Sequence, residues 1–168
     1  MLPSDESDAA IPDIVDRYQG PLLAYAQRMI GDAHAAQDAV QETFLRLCRH
    51  RDVPPSRLAA WLFSVCRTRV IDMQRKHRPE QLDTIASVAV APEPPVADSL
   101  EQDEDRDELA RRIAELTPRQ QEVLQLRMQA GLSYQQIAEV TGLKPGNVGF
   151  HLHAAVAALR HQLAPKTA

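Results

Sequence analysis

The chain has 168 residues, 44% of them hydrophobic and 25% charged, with a formal net charge of −4 at pH 7. That composition excludes a fully disordered chain, and the length allows one ordinary domain or two very small ones. No apolar run approaches the ~20 residues a membrane span needs. The start, MLPSDESDAA, has neither the basic nor the apolar segment of a signal peptide. The expected location is the cytoplasm, with no membrane insertion. Cys48 and Cys66 are the only cysteines. They read as reduced core fillers, because a cytoplasmic chain keeps its thiols reduced. Cys48 and His50 lack the companions of a zinc site, so no metal and no cofactor is expected.

Residues 1–10 are polar and expected to fray. From Ile14, apolar residues recur every four positions through Tyr18, Leu22, Ala26 and Ile30, the mark of an amphipathic helix. Gly20-Pro21 is expected to kink it or split it in two. Gly31 reads as its stop and Asp32 as the N-cap of a second helix, about Ala33 to His50. The apolar face of that helix is Ala36, Val40, Phe44, Leu47 and Cys48. Pro54-Pro55 forces a loop, and Ser56 is placed to cap a third helix packed through Leu58, Leu62, Val65, Cys66, Val70 and Met73. Pro79 ends it.

Charge is unevenly spread. Arg49, Arg51, Arg57, Arg67, Arg69, Arg75, Lys76 and Arg78 form a basic block, and Glu93 to Glu108 forms an acidic one. The basic block suits phosphates; otherwise it is a solvated helix face. Residues 79–106 carry four prolines, small residues and acids without a sustained period, and read as a flexible linker between two domains, 11–78 and 107–164.

Helical periodicity returns at Asp107, with Leu109, Ile113 and Leu116. Thr117-Pro118-Arg119-Gln120 reads as a capping box with proline at the first helical position. Val123, Leu124, Leu126 and Met128 are expected to face inwards. Ser133-Tyr134-Gln135-Gln136 is a second capping box. It opens a short helix with the small residue Ala138, closed by Gly142, where a tight turn requires positive φ. The last helix repeats Val148, Leu152, Val156, Leu159 and Leu163 and is bounded by Pro165. Small residue, glycine turn and returning Val148 are the grammar of a helix-turn-helix. The expected fold is all-α: two small helical domains on an acidic linker.

Several runs resemble the sigma-70 family of transcription factors, in its compact extracytoplasmic-function group. Residues 38–47 (DAVQETFLRL) resemble its core-polymerase-binding helix. Residues 60–72 (AWLFSVCRTRVID) resemble the helix that reads the promoter −10 element. Residues 116–124 (LTPRQQEVL) and 131–138 (GLSYQQIA) resemble the C-terminal −35 domain. The motifs occur in the family's order over residues 11–163. The resemblance implies that Asp38, Gln41, Glu42 and Phe44 dock on core RNA polymerase, with Phe44 read chiefly as core. It implies that Arg49, Arg51, Arg57, Arg67, Arg69, Arg75 and Lys76 serve −10 DNA, where extracting a base costs a few kcal/mol. Trp61 is expected in the core rather than stacked on a base. The acidic linker either passes through the polymerase's RNA channel, imitating the transcript, or is a solvated tether.

The last helix departs from the family. No Lys or Arg stands between Lys144 and Arg160. Its −35 candidates are Lys144, Asn147, Phe150, His151 and His153: an amide for adenine, histidines for base or phosphate, and an aromatic for a thymine methyl or a protein. The expected function is a non-enzymatic initiation factor that binds core polymerase and promoter DNA and is restrained by an anti-sigma factor. The alternative is a sigma mimic that occupies an anti-sigma factor without directing transcription. A simple helix-turn-helix repressor would leave the first domain unexplained. No phosphate-binding glycine loop, metal cluster or activated nucleophile points to catalysis.

Overall fold

The computed structural model describes residues 11–50, 52–77 and 100–163, which divide between two compact units. The expectations for residues 1–10, Arg51, 78–99 and 164–168 lie outside the described residues.

Three helices build the N-terminal unit: α1 (Ile11–Ile30), α2 (Ala33–Arg49) and α3 (Leu58–His77), each packed on the other two. Fully buried alanines, Ala26, Ala36 and Ala39, let the helix backbones approach closely. Around them pack Leu22, Leu62, Cys66 and Val70. Tyr25 meets Phe63 edge to face, with ring centroids 5.4 Å apart, the geometry the aromatic quadrupole favours. The buried Thr43 hydroxyl donates to the Ala39 carbonyl at 2.8 Å, so its polarity is satisfied within the helix.

Local punctuation follows the sequence. Gly31 has φ +72°, and its N–H closes α1 on the Gln27 carbonyl at 2.9 Å. The Asp32 carboxylate accepts from the His34 and Ala35 amides at 2.9 and 3.4 Å, capping α2. Two expectations fail here, and of a third one alternative is excluded. Gly20-Pro21 does not split α1, which is one helix through Pro21. Gly20 has open space around it, and burial of Leu22, Tyr25 and Ala26 in the next turn offsets the lost backbone bond, worth about 3 kcal/mol. Ser56 does not open α3 but lies inside a 3-10 turn, Pro55–Arg57, that leads into it. Cys48 is exposed, whereas Cys66 is buried. Cys48 falls one residue past Leu47 and so turns off the face that Ala36, Val40 and Leu47 bury.

The C-terminal unit contains α4 (Leu100–Ala114), α5 (Pro118–Met128), α6 (Tyr134–Thr141) and α7 (Pro145–Leu163). Helix α4 begins at Leu100 rather than Asp107. The acids that erase apolar periodicity before Asp107 lie towards its N-terminus, and Arg111 and Arg112 lie in its last turn; both placements suit the helix dipole. Glu108 also pairs with Arg112 at 2.6 Å and with Arg111 at 2.8 Å. Both capping boxes form, at Thr117 with Gln120 and at Ser133 with Gln136. The core is Leu116, Val123, Leu126, Leu132, Ile137, Val148, Leu152 and Ala155. Met128 does not join it: it is 74% exposed, at the open end of α5, and Leu109 of α4 is also exposed. Gln121 is buried instead, its amide donating to the Leu116 and Ala114 carbonyls at 2.9 and 3.2 Å and so tying α5 to the end of α4. Among the described residues no helix is long and apolar enough to cross a membrane.

Candidate functional site

Helix α2 presents two chemically different faces. Ala36, Ala39, Val40, Thr43 and Leu47 are buried. On the opposite side Asp38 and Gln41 are exposed and Glu42 is half-buried, its carboxylate 3.4 Å from Arg46. Leu45 stands among them, 52% exposed. It lies three residues after Glu42 and seven after Asp38, on the same helical face. Sequence reasoning missed it, because an apolar residue at that spacing blends into the neighbouring core pattern. Phe44 is half-buried at the edge of the face rather than in the core.

Among the described residues of the basic block, Arg49, Arg57, Arg75 and Lys76 are exposed, while Arg67 and Arg69 are half-buried. At about 100° per residue, Arg69 and Lys76 share one stripe of α3, Arg75 falls within about 20° of the outward stripe that starts at Trp61 and passes through Thr68, and Arg67 lies on the other edge. Trp61 is half-buried, with the His50 ring 6.4 Å away, so it sits at the rim of the core rather than inside it as expected. Its position opposite Cys66 and Val70 explains why.

The C-terminal unit holds a helix-turn-helix. The Gly142 amide donates to the Ala138 carbonyl at 2.9 Å, and its φ of +75° turns the chain sharply out of α6. The Lys144 carbonyl then accepts from the Asn147 and Val148 amides at 2.9 and 3.1 Å to start α7. Val148, Leu152 and Ala155 point inwards. Asn147, Phe150 and His153, spaced by three, share the outward face with Ala157, and all four are exposed. Phe150 is 69% exposed. His151 is half-buried at the edge of this face, its ring 5.5 Å from that of Phe150. Exposed Lys144 precedes the helix, and exposed Arg160 and His161 lie in its last turn. Tyr134, the first residue of α6, sits against Gly149, where an added Cβ would lie 3.5 Å from its ring. The Arg127 guanidinium stacks 5.6 Å over that ring and donates to the Leu132 carbonyl at 2.9 Å. The sequence signal for this support was a glycine inside an otherwise helix-favouring run.

Comparison with known proteins bears on both units. The model of sigma-70 region 2 matches residues 14–80, and that of sigma-70 region 4 matches residues 106–159. The SigL sigma factor of Mycobacterium tuberculosis is 36% identical over 152 residues, 88% of this chain and 85% of that one. The chain belongs to the extracytoplasmic-function group of the sigma-70 family. A sigma factor is a transcription initiation factor, and that is the class of this chain. The SigW sigma factor of Bacillus subtilis is 29% identical over 92% of this chain and 89% of its own. Among solved structures, the sigma factor RpoE of Bartonella quintana, crystallised with the anti-sigma factor NepR, gives a TM-score of 0.66 at 24% identity. It spans 92% of this chain and 98% of its own, and shows a shared fold.

Proposed function

We propose that this sigma factor docks on core RNA polymerase through the outward face of α2 and contacts promoter DNA with both units. The observation that carries the proposal is the pair of sigma-70 regions, 2 and 4, in order on one chain. Asp38, Gln41, Glu42 and Phe44, joined by Leu45, supply the docking face: charged and amide groups for specificity beside two partly exposed apolar side chains that gain burial on docking. Arg49, Arg51, Arg57, Arg67, Arg69, Arg75 and Lys76 serve the −10 region. The four that are exposed in the structure carry most of the phosphate neutralisation, and half-buried Arg67 and Arg69 position the helix. Lys144, Asn147, Phe150, His151 and His153 face the −35 element. The domains act as 11–78 for polymerase and −10 DNA and 107–164 for −35 DNA, joined by the segment between. Catalysis resides in the polymerase. The site of action is the cytoplasm, where polymerase and promoters are, and an anti-sigma factor restrains the protein.

Titration of fluorescently labelled chain with core polymerase, followed by mobility shift of genomic promoter fragments, tests this against the mimic reading. A sigma factor saturates core and confers fragment-selective binding on it. Binding to an anti-sigma factor with no binding to core would establish the mimic.

A further inference from the structure

On the reading that α7 faces the −35 element, we infer that Phe150 and Asn147 make it a reader of adjacent A·T pairs, with Phe150 seated on a thymine methyl. The outward face of α7 is unusual in chemistry and in shape. Beside Phe150, Gly146 and Ala157 are exposed and small, with nothing within 4 Å of a Cβ added at Gly146, while exposed Asn147 and His153 flank it three residues to either side. Phe150, 69% exposed, is the one large apolar side chain of this group. Permanent positive charge stands only at the two ends, at Lys144 and Arg160. Sixteen residues at 1.5 Å each separate these cations by about 24 Å. A B-DNA major groove is about 12 Å wide, half that separation, so with the helix centred in the groove the uncharged middle lies over the floor and both cations lie beyond it, towards the backbones.

A phenyl ring on that floor has one favourable partner. Adenine, guanine and cytosine present only donors and acceptors to the major groove, which a phenyl ring would desolvate without pairing. Thymine alone offers a methyl group. Asn147 lies one turn before Phe150 and is exposed beside it. Its amide matches the donor and acceptor of adenine. Three residues of helix rise about 4.5 Å, close to the ~3.4 Å between base pairs, so the two contacts fall on neighbouring pairs. Tyr134 against Gly149, held by Arg127, fixes the backbone between the two readers.

The test uses the full chain in holoenzyme with the core polymerase of its own organism. A double-stranded promoter library randomised over the −35 region is selected by open-complex formation. The expected element contains adjacent A and T positions. Each thymine of the selected element is then replaced by deoxyuridine, which removes only the methyl group. One replacement is expected to weaken the wild-type holoenzyme about fourfold, the worth of burying one methyl-sized group, and to leave Phe150→Ala unaffected. Asn147→Ala is expected to lose the adjacent adenine preference and keep the deoxyuridine effect. If a −35 preference emerges but no deoxyuridine replacement matters, the inference is overturned and the −35 reading stands. The same holds if Phe150→Ala impairs transcription equally on thymine and deoxyuridine templates, which would assign Phe150 to a protein surface. If the library shows no −35 preference, the underlying reading of α7 fails, and the inference with it.

Discussion

Replacing Leu45 with alanine tests the proposed docking face of α2 at a limited cost to the fold. Full burial of a leucine side chain is worth about 1.5–3 kcal/mol. Leu45 is 52% exposed, so roughly half of that remains for a partner to gain, about 1 kcal/mol. Its loss raises the Kd for core polymerase about fivefold. The fold loses a limited amount: the buried half of the side chain is worth roughly 1 kcal/mol, offset in part because alanine is the better helix former. Leu47→Ala is the control, since Leu47 is buried at 4% exposure and its truncation costs about 2–5 kcal/mol of folding stability. Anisotropy titration of each labelled variant with core polymerase, paired with thermal unfolding by circular dichroism, separates the two effects. Leu45→Ala binding core as tightly as wild type would refute the assignment. So would a fall in its melting temperature matching that of Leu47→Ala, because the residue would then be structural.

Gly142→Ala should destabilise the C-terminal unit by about 1–2 kcal/mol, read from denaturant unfolding. Nothing lies within 4 Å of the added Cβ, so the penalty is that of positive φ alone, and Gly142→Asn should recover part of it. Ellman's reagent at pH 8 should titrate exposed Cys48 promptly and Cys66 only after denaturation. Burial pushes the Cys66 thiol up to about 11, opposed in part by a hydrogen bond with Thr43. The folded state therefore favours the neutral thiol. This contribution is complete below the ordinary thiol value of 9.0 and is lost as pH rises towards 11. Cys66→Ala should flatten the fall in stability over that window. In gel shifts, the isolated chain, with net charge −4, should bind promoter fragments poorly at physiological salt, whereas holoenzyme binds them selectively. Tight specific binding by the chain alone would contradict this.

The elements most legible in the sequence were those decided within a few residues. Asp32, Thr117 and Ser133 cap helices because their side chains reach amides two or three positions on, and Gly142 turns because no other residue adopts its φ cheaply. What stayed illegible was decided by packing between helices. Pro21 sits inside α1 because the turn after it is buried, which local preference for a break cannot register. Cys48 and Met128 are apolar at nearly helical spacing but fall just off the buried stripes, and a shift of one residue turns a side chain by about 100°. The basic block looked continuous along the chain, yet α3 points Arg67 away from Arg69 and Lys76. The acidic run before Asp107 hid a helical start because charge, not apolar period, favours helix there. For the site, the family motifs supplied the candidates for both proposed interfaces, but Leu45 and the Tyr134–Gly149 support required knowing which faces point outwards.

Run-off transcription with core polymerase, with and without this protein, on a promoter-fragment library from its own genome tests the central claim most directly. The account predicts transcripts that depend on the protein and share spaced −10 and −35 elements upstream. Absence of protein-dependent transcripts, with core binding intact, would contradict it and leave a protein that occupies sigma partners without directing initiation.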